Sequence, residues 1–201
     1  MKRAKKWIGN GMIIGGFAML IILALGMKST HDNQTGLIEA FEAVKTEAST
    51  GAAAQTNAAG TFAEAAGLPD GVEGVLTIPA IELQSPVLQG ATPGNLNQAL
   101  GAIEGLDRAG EMDGSYAIAG HQSHIFGQFF NRLNELQIGE HFEYETLDEN
   151  FSFEVFDIQI VKPEEVEVLN AQKGMALLSL ITCYPENSSE FRLIVQAKRI
   201  N

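Results

Sequence analysis

Three residues have the types and the placement for acyl transfer. Cys183 is the only cysteine among 201 residues, and it ends the apolar run LLSLITC. Arg192 stands nine residues on, at the start of FRLIVQAKRI, and His121 ends the run SYAIAGH. A thiolate is a nucleophile, an imidazole carries a proton to and from an amine, and a guanidinium steadies an oxyanion. A lone thiol makes no internal disulfide, so Cys183 is either a small buried hydrophobe or a working group. A single strand-end His or Arg is most often a solvated cap, and it is the combination that points to chemistry. His124, three residues beyond His121, competes for the same proton-transfer role.

Such groups act only if the chain brings them together, and the local patterns describe how. GVLTIPAIEL, SPVLQG, SYAIAGH, HFEYET, FSFEVFDIQIV, LLSLITC and FRLIVQAKRI are short, rich in β-branched and aromatic residues, and separated by Gly, Pro, Asn and Asp. FSFEVFDIQIV alternates from Phe151 to Val161, as a half-buried strand does. One interruption, FGQFFNRLNELQIG, places Phe126, Phe129, Phe130, Leu133 and Leu136 at helical spacing. Seven or eight strands with one or two short helices predict a mostly β domain, closed or nearly closed into a barrel, over residues 71–201. Strand ends then gather at a barrel rim, where functional groups converge.

The first seventy residues are different. Residues 1–6 carry Lys2, Arg3, Lys5 and Lys6, and residues 7–27 carry no charge. A run of that length spans a hydrocarbon core of about 30 Å. The basic segment predicts a cytoplasmic N-terminus and an extracellular remainder. The run exceeds the roughly 7–15 residues of a cleavable signal, so an uncleaved transmembrane helix is expected. Residues 28–70 are rich in Ala, Thr, Gln, Glu and Gly and read as a stalk, with Leu37, Ile38, Phe41 and Val44 spaced for a short amphipathic helix. Taking the four N-terminal bases from the 13 leaves nine against 25 acids, a net −16 outside the membrane. So acidic a domain does not bind a phosphate backbone, which excludes nucleic acid as a partner. Lys198 and Arg199, near the C-terminus, are expected to tolerate truncation to Ala.

With these motifs in view, the chain resembles a sortase, the cysteine transpeptidase of Gram-positive cell surfaces. Ala119-Gly120-His121 is similar to the family's histidine motif. Leu180-Ile181-Thr182-Cys183 is similar to its Thr-x-Thr-Cys motif, and Arg192 heads the strand where the family keeps an arginine. The resemblance covers roughly residues 72–200. It implies an eight-stranded β-barrel in which Cys183 attacks the Thr carbonyl of a Leu-Pro-x-Thr-Gly sorting signal on a surface protein. An amine of the peptidoglycan precursor then resolves the thioester. His121 would act as acid and base, Arg192 would hold the oxyanion, and Ala119, Val168, Leu169, Ile181 and Thr182 would line the substrate groove.

The N-terminal anchor and the short Cys183–Arg192 connection resemble class A, and Cys183-Tyr184-Pro185 keeps class D open. A pilin- or sporulation-related class is the alternative, and a non-catalytic tethered β-barrel module is another. An L,D-type transpeptidase is disfavoured because His121 and Cys183 lie 62 residues apart. Gln122 stands where the family commonly has Arg. Some class A members are stimulated by calcium. Here Asn170 and Ala171 follow the Val168-Leu169 pair, where a glutamate would be needed, so no cofactor or metal is expected even though Asp107, Glu111 and Asp113 are near one another in sequence.

Overall fold

The computed structural model describes residues 15, 16, 19, 32–46, 71–122 and 129–201. The expected transmembrane segment, 7–27, lies outside them except for residues 15, 16 and 19, which are helical. Among the described residues no helix is long and apolar enough to cross a membrane.

Eight strands build the domain: β1 (Val72–Ile78), β2 (Leu83–Leu88), β3 (Leu100–Ala102), β4 (Ser115–Ala119), β5 (His141–Thr146), β6 (Asn150–Val161), β7 (Leu177–Tyr184) and β8 (Phe191–Arg199). They close into one barrel in the order β1-β2-β3-β4-β7-β8-β6-β5. Closure removes the free edges that would otherwise invite pairing with another chain. The β2–β3 and β4–β7 pairs are parallel and the others antiparallel. Alternation sends Leu76, Ile78, Ile118, Phe142, Phe153, Leu178, Leu180, Leu193 and Val195 into a single interior core.

The stretch expected to be helical around Phe129–Leu136 differs. Its first part, residues 123–128, lies outside the described residues. Beyond that there is only one 3₁₀ turn, Leu133–Glu135. Phe129 has φ +52°, and Leu136 is extended, so no helix propagates through either. The apolar residues at 3–4 spacing are still buried, because Phe129, Phe130, Leu133 and Leu136 all enter the barrel core. Periodicity reported burial correctly and the backbone wrongly.

Residues 32–46 are helical, as the spacing of Leu37, Ile38, Phe41 and Val44 implies. This helix is not free in solvent. Phe41 is completely buried with Val72, Val75, Leu88 and Ala99, on the outer face of β1 and β2. Gln34 Nε2 donates to Gln98 O at 3.1 Å, and Lys45 pairs with Glu145. Part of the segment expected to be a stalk is thus docked on the barrel, covering strands that are apolar on both faces.

A polar group fills one part of the interior. The Tyr116 hydroxyl donates to Glu73 Oε2 at 2.6 Å and lies 3.0 Å from the Tyr144 hydroxyl, with the two rings stacked 5.6 Å apart. Gly74 makes room for this pair: a Cβ there would stand 2.9 Å from the Tyr144 ring. Burial, above all, pushes both phenols well above the ordinary tyrosine range, with the neighbouring Glu73 charge adding to it. Unfolded phenols ionise near pH 10. Above that pH the unfolded chain releases protons that the folded barrel retains, so the stability carried by the pair is whole below pH ~10 and falls beyond it. Absorbance at 295 nm should therefore show Tyr116 and Tyr144 ionising only as circular dichroism reports unfolding, with the melting temperature dropping from pH 9 to 11. Ionisation of all the tyrosines near pH 10 with the fold intact would refute this.

The chain end is tied into the barrel. Arg199 lies over the Phe151 ring, 4.8 Å from its centroid, and Nη1 donates to Gly110 O at 2.9 Å. Gly110 has φ +76°, and a Cβ there would meet the Phe151 ring at 2.4 Å. Ser152 N donates to Asn201 Oδ1 at 2.8 Å. Its guanidinium holds the β3–β4 connection onto β6, so truncation of Arg199 is expected to cost stability even where turnover is tolerated. Lys198 makes only a 3.7 Å surface pair with Glu154. Chemical denaturation should show Arg199→Ala losing about 1–2 kcal/mol, from a cation–π contact and a hydrogen bond. Lys198→Ala should stay within about 0.5 kcal/mol of the parent.

Candidate active site

The outer face of β4, β7 and β8 carries the candidate chemistry, and strand register explains why. Cys183 and Arg192 are direct partners across the β7–β8 pair, and so are Ile181 and Ile194. Partners across a ladder project to the same face. On the other side Ala119 pairs with Ile181 in the parallel β4–β7 ladder. Gly120 N continues that ladder by donating to Ile181 O at 3.0 Å. His121 lies two residues beyond Ala119, and Cys183 lies two beyond Ile181. The two residues thus follow the last paired positions of neighbouring parallel strands by the same offset, and Arg192 flanks Cys183 on the other side.

Each of the three is held locally. Phe130 N donates to His121 O at 3.1 Å, fixing the backbone where β4 ends. His121 is exposed, and Cys183 is partly exposed and free. Arg192 Nη1 donates to Ser189 O at 3.0 Å and Phe191 O at 2.9 Å, so the β7–β8 connection holds one end of the guanidinium. Its Nε and Nη2 have no hydrogen bond among the described residues. His124 lies outside the described residues.

An apolar floor runs away from these groups. Ala117, Val161, Ile181 and Ile194 are buried together, with Ile103 and Leu106 packed from the β3–β4 connection and Val168 and Leu169 from the 3₁₀ turn Val166–Leu169. Of the residues expected to line a groove, Ile181, Val168 and Leu169 therefore meet, and Ala119 adjoins them by register. Thr182 does not join them, and this is a correction. Strand alternation gives the outer face to Ile181 and Cys183, so Thr182 faces inward at 2 % exposure, with Oγ1 donating to Gly120 O at 2.9 Å. It reaches the site through the backbone before His121. Ile103, Leu106, Val161 and Ile194 were not expected from the sequence. Ile194 was findable by counting two residues from Arg192, and Val161 was not, because unbroken alternation from Phe151 would put it inside the barrel. Ile103 and Leu106 sit in a loop with no periodicity to betray them.

Gly120 is the tight point of the assembly. A Cβ there would stand 2.5 Å from the Leu100 side chain and 2.8 Å from the Phe130 ring. The carboxylates considered for a cation are each engaged by backbone. Asp107 accepts from Ser115 N, Glu111 from Arg108 N and Asp113 from Gly174 N. Among the described residues no three His, Cys, Asp or Glu side chains are grouped to hold a metal ion.

Cys183 and Arg192 thus face one another across β7 and β8 beside an apolar floor, with His121 just past the end of β4. Over 196 residues the chain is 24 % identical to sortase D of Bacillus subtilis, covering 96 % of this chain and 95 % of that protein. It is 28 % identical to sortase A of Staphylococcus aureus, covering 89 % of each. The solved structure of sortase C-1 from Actinomyces oris superposes with a TM-score of 0.63 at 31 % identity, covering 66 % of this chain and 76 % of that one. The sortase domain model matches residues 76–200, and the chain belongs to the sortase family.

Proposed function

We propose that this sortase is a membrane-anchored transpeptidase that cuts a Leu-Pro-x-Thr-Gly-type sorting signal between Thr and Gly and transfers the acyl part to an amine of the peptidoglycan precursor. The observation that supports this reading is the pairing of Cys183 with Arg192 across β7 and β8, with His121 two residues beyond the end of the neighbouring β4. The Cys183 thiolate adds to the Thr carbonyl, and the oxyanion that forms meets the Arg192 guanidinium. His121 gives its proton to the departing Gly amine, leaving a thioester on Cys183. The incoming amine then adds to the thioester, His121 takes its proton, and the thiolate leaves. The reaction as drawn uses only side chains of this chain. Ala119, Ile181, Val168 and Leu169 hold the Leu-Pro part, because that face is apolar and adjoins the thiol.

In this reading residues 1–6 are cytoplasmic, 7–27 the anchor, 28–70 the connection to the catalytic domain, and 71–201 the domain outside. The helix at 32–46 adds a docked element to that connection. A second reading is a sporulation- or pilin-related sortase of class D or C. It is favoured by the match to sortase D across nearly the whole length of both chains.

The test is incubation of the full chain in detergent micelles with a Leu-Pro-x-Thr-Gly peptide and an amine, followed by mass analysis. The expected result is a ligated product with the parent and none with Cys183→Ala. Arg192→Lys should lower kcat by ~10²–10³, since the oxyanion it meets exists only in the transition state. No product from the parent, with Cys183 inert to alkylation at neutral pH, would overturn the reading.

Gly120 gives an independent check on positioning. The clash with Leu100 and Phe130 must push the end of β4 outward, taking His121 with it. Displacement of a reacting group by about 1 Å costs on the order of 10²-fold in rate. Gly120→Ala is thus expected to lose about that much in kcat while circular dichroism shows the barrel retained. Parental kcat would show that His121 does not depend on this packing.

A further inference from the structure

The helix at residues 32–46 crosses the outside of the barrel, and its direction is fixed at both ends. Gln34 Nε2 donates to Gln98 O, two residues before β3, and Lys45 pairs with Glu145 on β5. The eleven residues from Gln34 to Lys45 make about 16 Å of helix. The order β3-β2-β1-β5 puts three strand spacings between the two ties, about 14 Å. The helix thus runs across four strands rather than along them, with Phe41 seated on Val72, Val75, Leu88 and Ala99. Its N-terminal end is the one on the side of the candidate site. Gly101 of β3 pairs with Ala119 of β4, and Ala99 precedes Gly101 by the same two residues by which His121 follows Ala119.

Charge divides along the same line. Residues 83–103 hold no charged side chain, and residues 114–122 hold no acid and no Lys or Arg. After Asp32 the helix itself is uncharged from Asn33 to Ile38. Glu104 comes beside Gly90 at the edge of this flank. Glu143, Glu145, Asp148 and Glu149 lie instead on β5 and in the turn after it, at the other end of the helix. So acidic a domain leaves a flank of this size without carboxylates only on the side where the helix begins.

We infer that the helix is a bracket holding this flank, with the His121 end of the barrel, against the surface of a lipid bilayer. The inference rests on the reading of residues 7–27 as a membrane anchor. Only residues 28–31 stand between that segment and the docked helix, and four residues reach at most about 14 Å. A free spacer over residues 28–70 would have a mean span of about 36 Å and would let the domain turn in any direction. A helix tied to the barrel at both ends and begun so near the lipid leaves one flank to meet it. Charge agrees with that orientation. A bilayer holding anionic lipid repels carboxylates that come within a Debye length, about 8 Å at physiological salt, and the flank that meets it is the one nearly free of them. The catalytic end is thereby kept within reach of substrates that are themselves held in the membrane.

The test uses the full chain in nanodiscs of phosphatidylcholine and phosphatidylglycerol that carry an energy-acceptor lipid. In a Cys183→Ala background one new cysteine takes the donor dye, so no measurement depends on turnover. The three positions are Asn97→Cys in the β2–β3 connection, Glu190→Cys just before β8, and Asp148→Cys in the β5–β6 turn, all exposed. Leu100, Val87, Gly74 and Thr146 lie on one line of pairing. Asn97 and Asp148 are therefore three strand spacings and some five residues of strand apart, roughly 20 Å, and transfer is expected to be about twofold higher from Asn97→Cys than from Asp148→Cys. Glu190→Cys should resemble Asn97→Cys. A flexible Gly-Ser spacer of about 30 residues between Ser29 and Thr30 frees the barrel by about 30 Å and should equalise the three. Where circular dichroism shows the barrel retained, Phe41→Asp should equalise them too, because its charge cannot stay buried on Val72 and Leu88. The inference is overturned if the Asp148 probe transfers as well as the Asn97 probe in the parent, or if the difference survives the spacer. Failure to co-elute with the discs would strike the anchor reading and the inference with it, whereas co-elution without a difference strikes the inference alone.

Discussion

Everything at the candidate site depends on the hydrogen-bond register of three neighbouring strands. Side chains alternate with a period of two, so a one-residue slip of β7 against β8 or β4 would turn Cys183 inward and bring Thr182 out. The register is pinned because slippage would also reverse a completely buried interior row. Leu178, Leu180, Leu193 and Val195 occupy the core through the same pairing that places Cys183 opposite Arg192. Hydrophobic burial in the barrel thus supplies the force that holds the reactive groups in line. The buried bond from Thr182 Oγ1 to Gly120 O adds a local tie at the strand ends, where a ladder would otherwise fray.

The same alternation decided what could be read from the sequence. Strand β6 was legible almost to the residue, because Phe151, Phe153 and Val155 point inward at strict spacing. Beyond the irregularity between Val155 and Asp157 the inward position shifts to Ile158 while Ile160 is exposed, and a simple count fails there. The strands around His121 and Cys183 were legible because each ends a short apolar run. The resemblance to sortases rested on the same residues, and the family match spans residues 76–200. Less legible were β3, only three residues long, and the loop residues Ile103 and Leu106, whose burial comes from tertiary packing. Spacing at Phe129–Leu136 showed an apolar face but not that Phe129 leaves the helical region. The structural role of Arg199 was invisible for another reason: its partners, Gly110 and Phe151, are far away in sequence.

Composition gave a misleading picture of the segment before the barrel. Residues 28–70 look like a spacer on average, yet Phe41 is as deeply buried as any core side chain. The barrel explains this. Strands β1 and β2 are buried on both faces, so Val72, Val75 and Leu88 need a cover that the sheet itself cannot supply. The helix supplies it with one apolar stripe, and Gln34 and Lys45 tie its two ends to Gln98 and Glu145. It sits on β1 and β2, which the closed order separates from β7 by β3 and β4.

The barrel therefore carries two apolar assemblies with different duties. The interior is mostly apolar, with the Glu73–Tyr116–Tyr144 cluster, Ser85 and the hydrogen-bonded Thr182 as its polar exceptions. The outer assembly of Ala117, Val161, Ile181 and Ile194 is small and is covered by connections rather than by strands. Connections part from a surface more easily than paired strands, because fewer hydrogen bonds and contacts hold them. The division leaves Cys183 partly exposed beside an apolar surface while the strands that carry it stay fixed. The interior fixes the strands, and the outer cluster presents an apolar surface covered by the β3–β4 and β6–β7 connections. Changes in Val168 or Leu169 thus alter the cover of the outer cluster, whereas changes in Leu180 or Val195 act on the fold itself.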